Sequence, residues 1–140
     1  MSDEPELSPV GWVRRQTKRI LADGTTDNVT VLDKPVVLFT VTGAKTGKRR
    51  YLPLMRVEED GRYAMVASNG GAPQHPQWYR NVVAHPQITV QDGTEVSQKI
   101  AREVSGEERA HWWQLAVAAY PPYAEYQQKT DRLIPVFVLE

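Results

Sequence analysis

Cysteine is absent from the 140 residues, which excludes disulfides, a thiol nucleophile and any Cys-based metal site. Histidine is scarce. His75, His85 and His111 each stand alone, without the HxxxH or HExxH spacing that brings two imidazoles to one metal, so each reads as structural or surface. No apolar run approaches the roughly 20 residues of a membrane span. The N-terminal MSDEPELSP is acidic, where a secretion signal would be basic and then apolar. Net charge is zero, 17 basic residues against 17 acidic, so bulk electrostatics favours neither nucleic acid nor an anionic membrane surface. These absences lead us to expect a cytoplasmic protein, residues 1–140 forming a single domain, large enough to bury a core of its own.

The elements that are present alternate between strand and helix. Ser8 and Pro9 mark a helix start, and Val10, Val13, Thr17, Ile20 and Leu21 recur at helical spacing over about 9–22, with Arg15, Lys18 and Arg19 on the far side. Residues 35–42 are nearly all β-branched or apolar, a strand covered on both faces. Strands at 50–57 and 63–68 flank Asp60-Gly61, a hairpin signal. After the Gly70-Gly71 break a short helix opens at Pro76 and closes before Pro86. Strands then run from Gln87 to Gln91 and, past Asp92-Gly93, to near Val104. Ser105 with Glu108 predicts a capping box before a helix to about Ala119. Pro121-Pro122 divides it from a second helix, Tyr123 to Thr130, and a last strand covers 134–139. The N-terminal helix followed by a barrel over about 35–140 gives an α+β fold with about six mostly antiparallel strands. Hairpins between the first strands exclude a Rossmann arrangement.

Chemistry concentrates in VTGAKTGKRR, Val41 to Arg50, which gathers Lys45, Lys48, Arg49 and Arg50 with Gly43 and Gly47 and no acid. Such a turn aims cations and bare backbone N–H groups at one place, as a phosphate or carboxylate requires. It is not a Walker loop, since the glycines are one residue too close and Arg49 follows Lys48. Ser68 lacks a nucleophile elbow, and paired carboxylates occur only in a turn, Glu58-Glu59-Asp60, and a helix start, Glu107-Glu108. With no acid–base machinery evident, a cofactor that carries the chemistry is the better reading. Trp78 and Tyr79 follow the loop SNGGAPQHP, and Tyr120, Tyr123 and Tyr126 recur every third residue around the Pro-Pro break. Core packing suffices for Trp112 and Trp113. Three phenols each need a polar partner if buried, so a flat ligand with polar edges would suit them.

TGAKTGKRRYLPL, VASNGGAPQHPQWYRN and AAYPPYAEYQQKTDRLIPVFVLE resemble, in order and spacing, the deazaflavin (coenzyme F420)-dependent nitroreductase family. The resemblance covers roughly residues 35–140 and implies a split β-barrel of the FMN-binding-like kind. It implies that Lys45 and Arg50, with Arg49 beside them, hold the phosphate and glutamyl tail of F420, while Thr46, Gly47 and Pro53 shape the turn. Ser68 and Trp78 would lie beside the deazaflavin ring, with Gly70 and Gly71 leaving room for it. Asn69 stands where some relatives carry lysine. Tyr120, Tyr123 and Tyr126, with Ser68, would form the acceptor side.

The implied activity is hydride transfer from reduced F420 to an electron-poor small molecule such as a quinone, enone or nitroaromatic. Two alternatives remain: an FMN-dependent split-barrel reductase, and a non-catalytic F420 carrier. The expected partner is a small-molecule acceptor, without nucleic acid or metal. Oligomeric state and peripheral membrane contact through the N-terminal helix stay open.

Overall fold

The run KPVVLFTVT is the central strand because its alternate side chains are buried in two different places. In the computed structural model, which describes residues 4–140, it forms β2 (Lys34–Thr42). Val36 and Leu38 join one apolar cluster. Val37, Phe39 and Val41 join another. The remaining strands are β1 (Thr30–Val31), β3 (Arg49–Met55), β4 (Glu58–Glu59), β5 (Arg62–Val66), β6 (Gln87–Asp92), β7 (Glu95–Glu103) and β8 (Val136–Leu139). The helices are α1 (Gly11–Asp23), α2 (Gln77–Ala84), α3 (Gly106–Ala119) and α4 (Pro122–Gln128).

All strand pairings are antiparallel, and the main path runs β3-β2-β6-β7-β8-β5-β4. It starts at β3 and ends at β4, neighbours in the chain that do not pair. The sheet therefore curls into a split barrel. Its inner cluster takes Met65, Ile88, Val90, Phe137 and Leu139, with Val82 of α2 among them. The opposite face is covered by α1, α3 and α4 through Ile20, Trp112, Ala116, Tyr120 and Tyr123. Near the split, Arg56 Nε donates to both Asp92 carboxylate oxygens (3.0 Å each) and the Tyr63 phenol donates to the same group at 2.7 Å. Burial, and then that hydrogen bond, pushes the Tyr63 phenol up to about 12.

The six longer strands occupy the expected segments, and two short strands are additional. Leu32 and Asp33 take φ of 51° and 62° in the hairpin that pairs Thr30 with Pro35. Leucine at positive φ gives no turn signal in a sequence. Asp60-Gly61 does turn a hairpin, but it joins β4 to β5 rather than β3 to β5. β3 ends at Met55, and β5 takes β8 as its long partner. Helix starts also differ. α1 begins at Gly11 with Val10 at the cap, while the Ser8 hydroxyl accepts the Val10 N–H one turn earlier (3.1 Å). Ser105 does cap α3 by position, but no capping box forms. Glu108 instead takes both Arg102 guanidinium N–H groups at 2.7 and 2.9 Å. Leu21, expected on the inner face of α1, is 45% exposed, and Trp12 is 56% exposed. Among the described residues, no helix is long and apolar enough to cross a membrane.

Two adjacent glycines offer a test of this packing. Gly70 has φ of +65° with open space where a Cβ would stand, whereas at Gly71 (φ +84°) a Cβ would lie 2.7 Å from the Tyr126 carbonyl oxygen in α4. Gly70→Ala should cost about 1–2 kcal/mol from backbone strain alone. Gly71→Ala should cost about 2–4 kcal/mol, because overpacking adds to it. Urea unfolding of the two variants compares them, and equal losses would contradict the seating of α4 on Gly71.

Candidate active site

The basic turn is held in shape from within and from α2. Gly43 N–H donates to Lys48 O (2.8 Å), Gly47 N–H to Gly43 O (2.9 Å), and Lys48 N–H to Thr46 Oγ1 (3.2 Å). Gly47 takes φ of +71°, a conformation that favours glycine. Asn81 of α2, itself buried, accepts the Ala44 N–H at 2.9 Å. Thr46 and Gly47 thus take part in the turn's own hydrogen bonding. Pro53 does not. It lies inside β3 opposite Leu38, on a strand whose far edge needs no ladder donor from it.

The four cations of the turn part company. Lys45 and Arg50 line a cavity of about 770 Å³. Lys48 Nζ sits 3.5 Å from Glu6 Oε1. Arg49 is exposed and lines neither cavity, because strand alternation turns it away from Arg50. The larger cavity also has Arg80 and Arg132 in its wall and, among the described residues, no carboxylate. A second cavity of about 360 Å³ adjoins it, lined by Trp78, Val41, Leu52, Val13 and Asn69. Arg50, His75, Pro76, Gln77 and Asn81 line both. Arg50 Nε is buried without a hydrogen-bond partner, the one such side-chain atom among the described residues. A buried cationic donor left unmatched is costly unless an anion completes it. The donor set therefore fits a ligand with an anionic tail, and the smaller space, with Trp78, Val41, Leu52 and Val13 in its wall, fits a flat ring.

The wall opposite the turn is the loop from Ala67 to Pro76, and Arg132 organises it. Its Nη1 donates to Ala67 O (3.2 Å) and His75 Nδ1 (2.9 Å), its Nη2 to Ser68 O (2.8 Å) and its Nε to Ala72 O (2.9 Å). Ser68 is buried and lines neither cavity. Asn69 faces the smaller one and donates to Gln74 O at 3.1 Å. Gly70 faces open space, while the room at Gly71 is taken by α4 rather than left for a ligand. Trp78 packs on Phe137 with centroids 6.1 Å apart. Sequence reading missed Arg80, Asn81, His75 and Arg132 as cleft residues. For Arg132 the available signal was an arginine in TDRLIP, at the mouth of an apolar strand.

The three tyrosines do come together, but elsewhere. Tyr120 and Tyr123 meet edge to face at 5.1 Å, and Tyr126 lies 6.2 Å from Tyr123. The Tyr120 and Tyr126 phenol oxygens are 3.4 Å apart. Burial, and then the neighbouring Tyr126 phenol, pushes Tyr120 up to about 12. Burial raises Tyr123 further in the same direction. Tyr123 is part of the core, Tyr126 is half-buried, and none of the three lines either cavity.

Comparison with known proteins gives a consistent result. A family model described as F420H(2)-dependent quinone reductase matches residues 12–140. An F420H(2)-dependent quinone reductase of Mycobacterium tuberculosis is 35% identical over 108 residues, covering 75% of this chain and 72% of that protein. A solved F420-H2 dependent reductase is 70% identical, with a TM-score of 0.73 over 80% of this chain and 99% of its own. A solved domain-swapped dimer is 69% identical, with a TM-score of 0.76 over 95% of this chain and 100% of its own.

Arg132 gives the sharpest mutational test of the site's construction. Arg132→Met strips the carbonyls of Ala67, Ser68 and Ala72 of a charged donor, and the expected cost is about 2–4 kcal/mol of folding stability. Arg132→Lys should recover little of it, because one ammonium cannot span the set that the planar guanidinium reaches. Thermal and urea unfolding measure both, and a Lys variant equal to wild type would contradict the bracing role.

Proposed function

We propose, for a chain that belongs to the F420H(2)-dependent quinone reductase family, that the cleft between the basic turn and α2 binds reduced coenzyme F420 and brings it against a quinone. The observation that carries this reading is the larger cavity's wall: among the described residues, Lys45, Arg50, Arg80 and Arg132 without a carboxylate, and a buried Arg50 Nε lacking a partner. When bound, reduced F420 supplies the hydride. Lys45 and Arg50 hold the anionic tail, and Thr46, Gly47 and Asn81 keep the turn in the conformation that presents them. Trp78 and Asn69 border the ring space, and Arg132 braces the loop that carries Asn69. Walls of this kind exclude water and fix the approach of the acceptor.

The acceptor side falls to the tyrosine cluster, first to Tyr126, whose ring is the least buried of the three. Tyr120 is buried with its phenol 3.4 Å from that of Tyr126, so Tyr126 is the member of the cluster left to hydrogen-bond an acceptor oxygen as charge develops there. Enones and nitroaromatics meet the same electronic requirement and are proposed as further acceptors. Mixing protein with reduced F420 and a panel of quinones, enones and nitro compounds tests the reading through recovery of the oxidised deazaflavin absorbance. Coenzyme bound without turnover on any acceptor would instead favour a carrier, and stoichiometric FMN on the purified protein would favour a flavin enzyme. The domain-swapped relative supports a dimer for this chain as well, which light scattering would test.

Lys45→Ala and Arg50→Ala should each weaken F420 binding by about 1–3 kcal/mol, the worth of a charge-assisted hydrogen bond. Turnover at saturating coenzyme should change far less, because the tail is remote from the transferred hydride. Coenzyme titration with steady-state kinetics separates the two effects, and an unchanged Kd with abolished turnover would contradict the tail-binding role.

A further inference from the structure

His75 stands at the junction of the two cavities and lines both. Its Nδ1 lies 2.9 Å from Arg132 Nη1. A guanidinium has only donors, so Nδ1 must accept, and the ring is the neutral tautomer with its proton on Nε2. The ring is also held by its face. It stacks on Tyr79 with centroids 4.4 Å apart and planes 33° from parallel. Tyr79 is fixed in turn by donating its phenol to Glu103 Oε1 at 2.7 Å. The Glu103 hydrogen bond, with burial second, pushes that phenol up to about 12, so it remains the donor. The result is an oriented imidazole whose Nε2–H takes no protein partner among the described residues, at the place where the strongly cationic cavity meets the one bordered by Trp78.

We propose that His75 Nε2–H donates a hydrogen bond to an oxygen of the bound coenzyme at the point where its anionic tail joins its flat ring. This inference rests on the F420 reading of the cleft. It makes His75 a specificity residue for the uncharged middle of the ligand, separate from the cations that hold the tail. An imidazole suits this place because its donor is neutral, so it selects a hydroxyl or carbonyl oxygen without adding charge to a wall that is already strongly cationic. Arg132 then acts twice, bracing the loop and fixing the histidine tautomer.

The test compares His75→Phe, which keeps the stack on Tyr79 and loses the donor, with His75→Gln, which keeps a donor on a terminal amide. Two probes are titrated against the full chain, F420 and the deazaflavin lacking the phosphate and glutamyl tail, and thermal midpoints are recorded. His75→Phe should weaken both probes about tenfold, and His75→Gln by no more than about threefold. Nitrogen-15 spectra of histidine-labelled wild type should show Nε2 protonated, and that resonance should move when either probe is added. Wild-type affinity in His75→Phe, or an Nε2 resonance unmoved by either probe, overturns the proposal while leaving the F420 reading intact. If Phe and Gln variants lose affinity equally with lowered thermal midpoints, His75 is structural only and the proposal fails. Failure of wild type to bind either probe overturns both readings.

Discussion

The guanidinium of Arg132 is the interaction on which the cleft depends. One side chain, positioned just ahead of β8, donates to the carbonyls of Ala67, Ser68 and Ala72 and to the His75 ring. These groups lie more than fifty residues away along the chain, and no regular secondary structure pairs most of the loop between them. The loop leaves β5, passes Asn69 and Gly70 at positive φ and must still present a rigid wall to a ligand. Backbone in such conformations is unfavourable unless something outside the loop holds it. Desolvation lowers the Arg132 pKa, yet guanidinium remains charged at any physiological pH, and its carbonyl partners offset the cost of burial.

A second constraint is charge. The protein is neutral overall, but its cations and anions are unevenly distributed. Acidic groups meet arginines on the outer surface, as in the Arg102, Glu108 and Glu140 cluster and the Arg56–Asp92 pair. Among the described residues, the larger cavity receives four cations and no carboxylate. Exposed ion pairs of the first kind contribute little to stability. Uncompensated positive charge of the second kind is unfavourable until an anion arrives, and that difference turns the wall into a binding surface. Lys48, satisfied by Glu6, shows what the turn would be if every cation found a partner within the chain.

Much of this was legible in the sequence, for physical reasons that differ from element to element. The doubly covered strand β2 was clear because both of its faces are apolar, the Asp60-Gly61 turn because these residues tolerate the positive φ they adopt, and the Pro121-Pro122 break because proline restricts the backbone. Lys45 and Arg50 were identifiable as a pair through the family resemblance, and strand alternation accounts for Arg49 pointing elsewhere. The Leu32-Asp33 hairpin was not legible, since its backbone is imposed by the sheet and contradicts local preference. Neither was the Ser105–Glu108 capping box, because Arg102 on the neighbouring strand outcompetes the helix terminus for Glu108. His75, Asn81 and Arg132 were missed as cleft residues because each depends on a partner distant in sequence. The tyrosine triplet was read correctly as a cluster, but its spacing could not show that Tyr123 would be spent on the core.

The central claim is that the cleft, strongly cationic in its larger cavity, recognises a long anionic tail joined to a flat ring, and coenzyme affinity as a function of ionic strength tests it most directly. Kd for F420 and for FMN would be measured on the same apoprotein from low to high salt. The account predicts tighter binding of F420 throughout, with an affinity that falls steeply as salt screens the contacts of Lys45, Arg50 and Arg80 with the tail. FMN binding as tightly as F420, or an F420 affinity indifferent to salt, would contradict it.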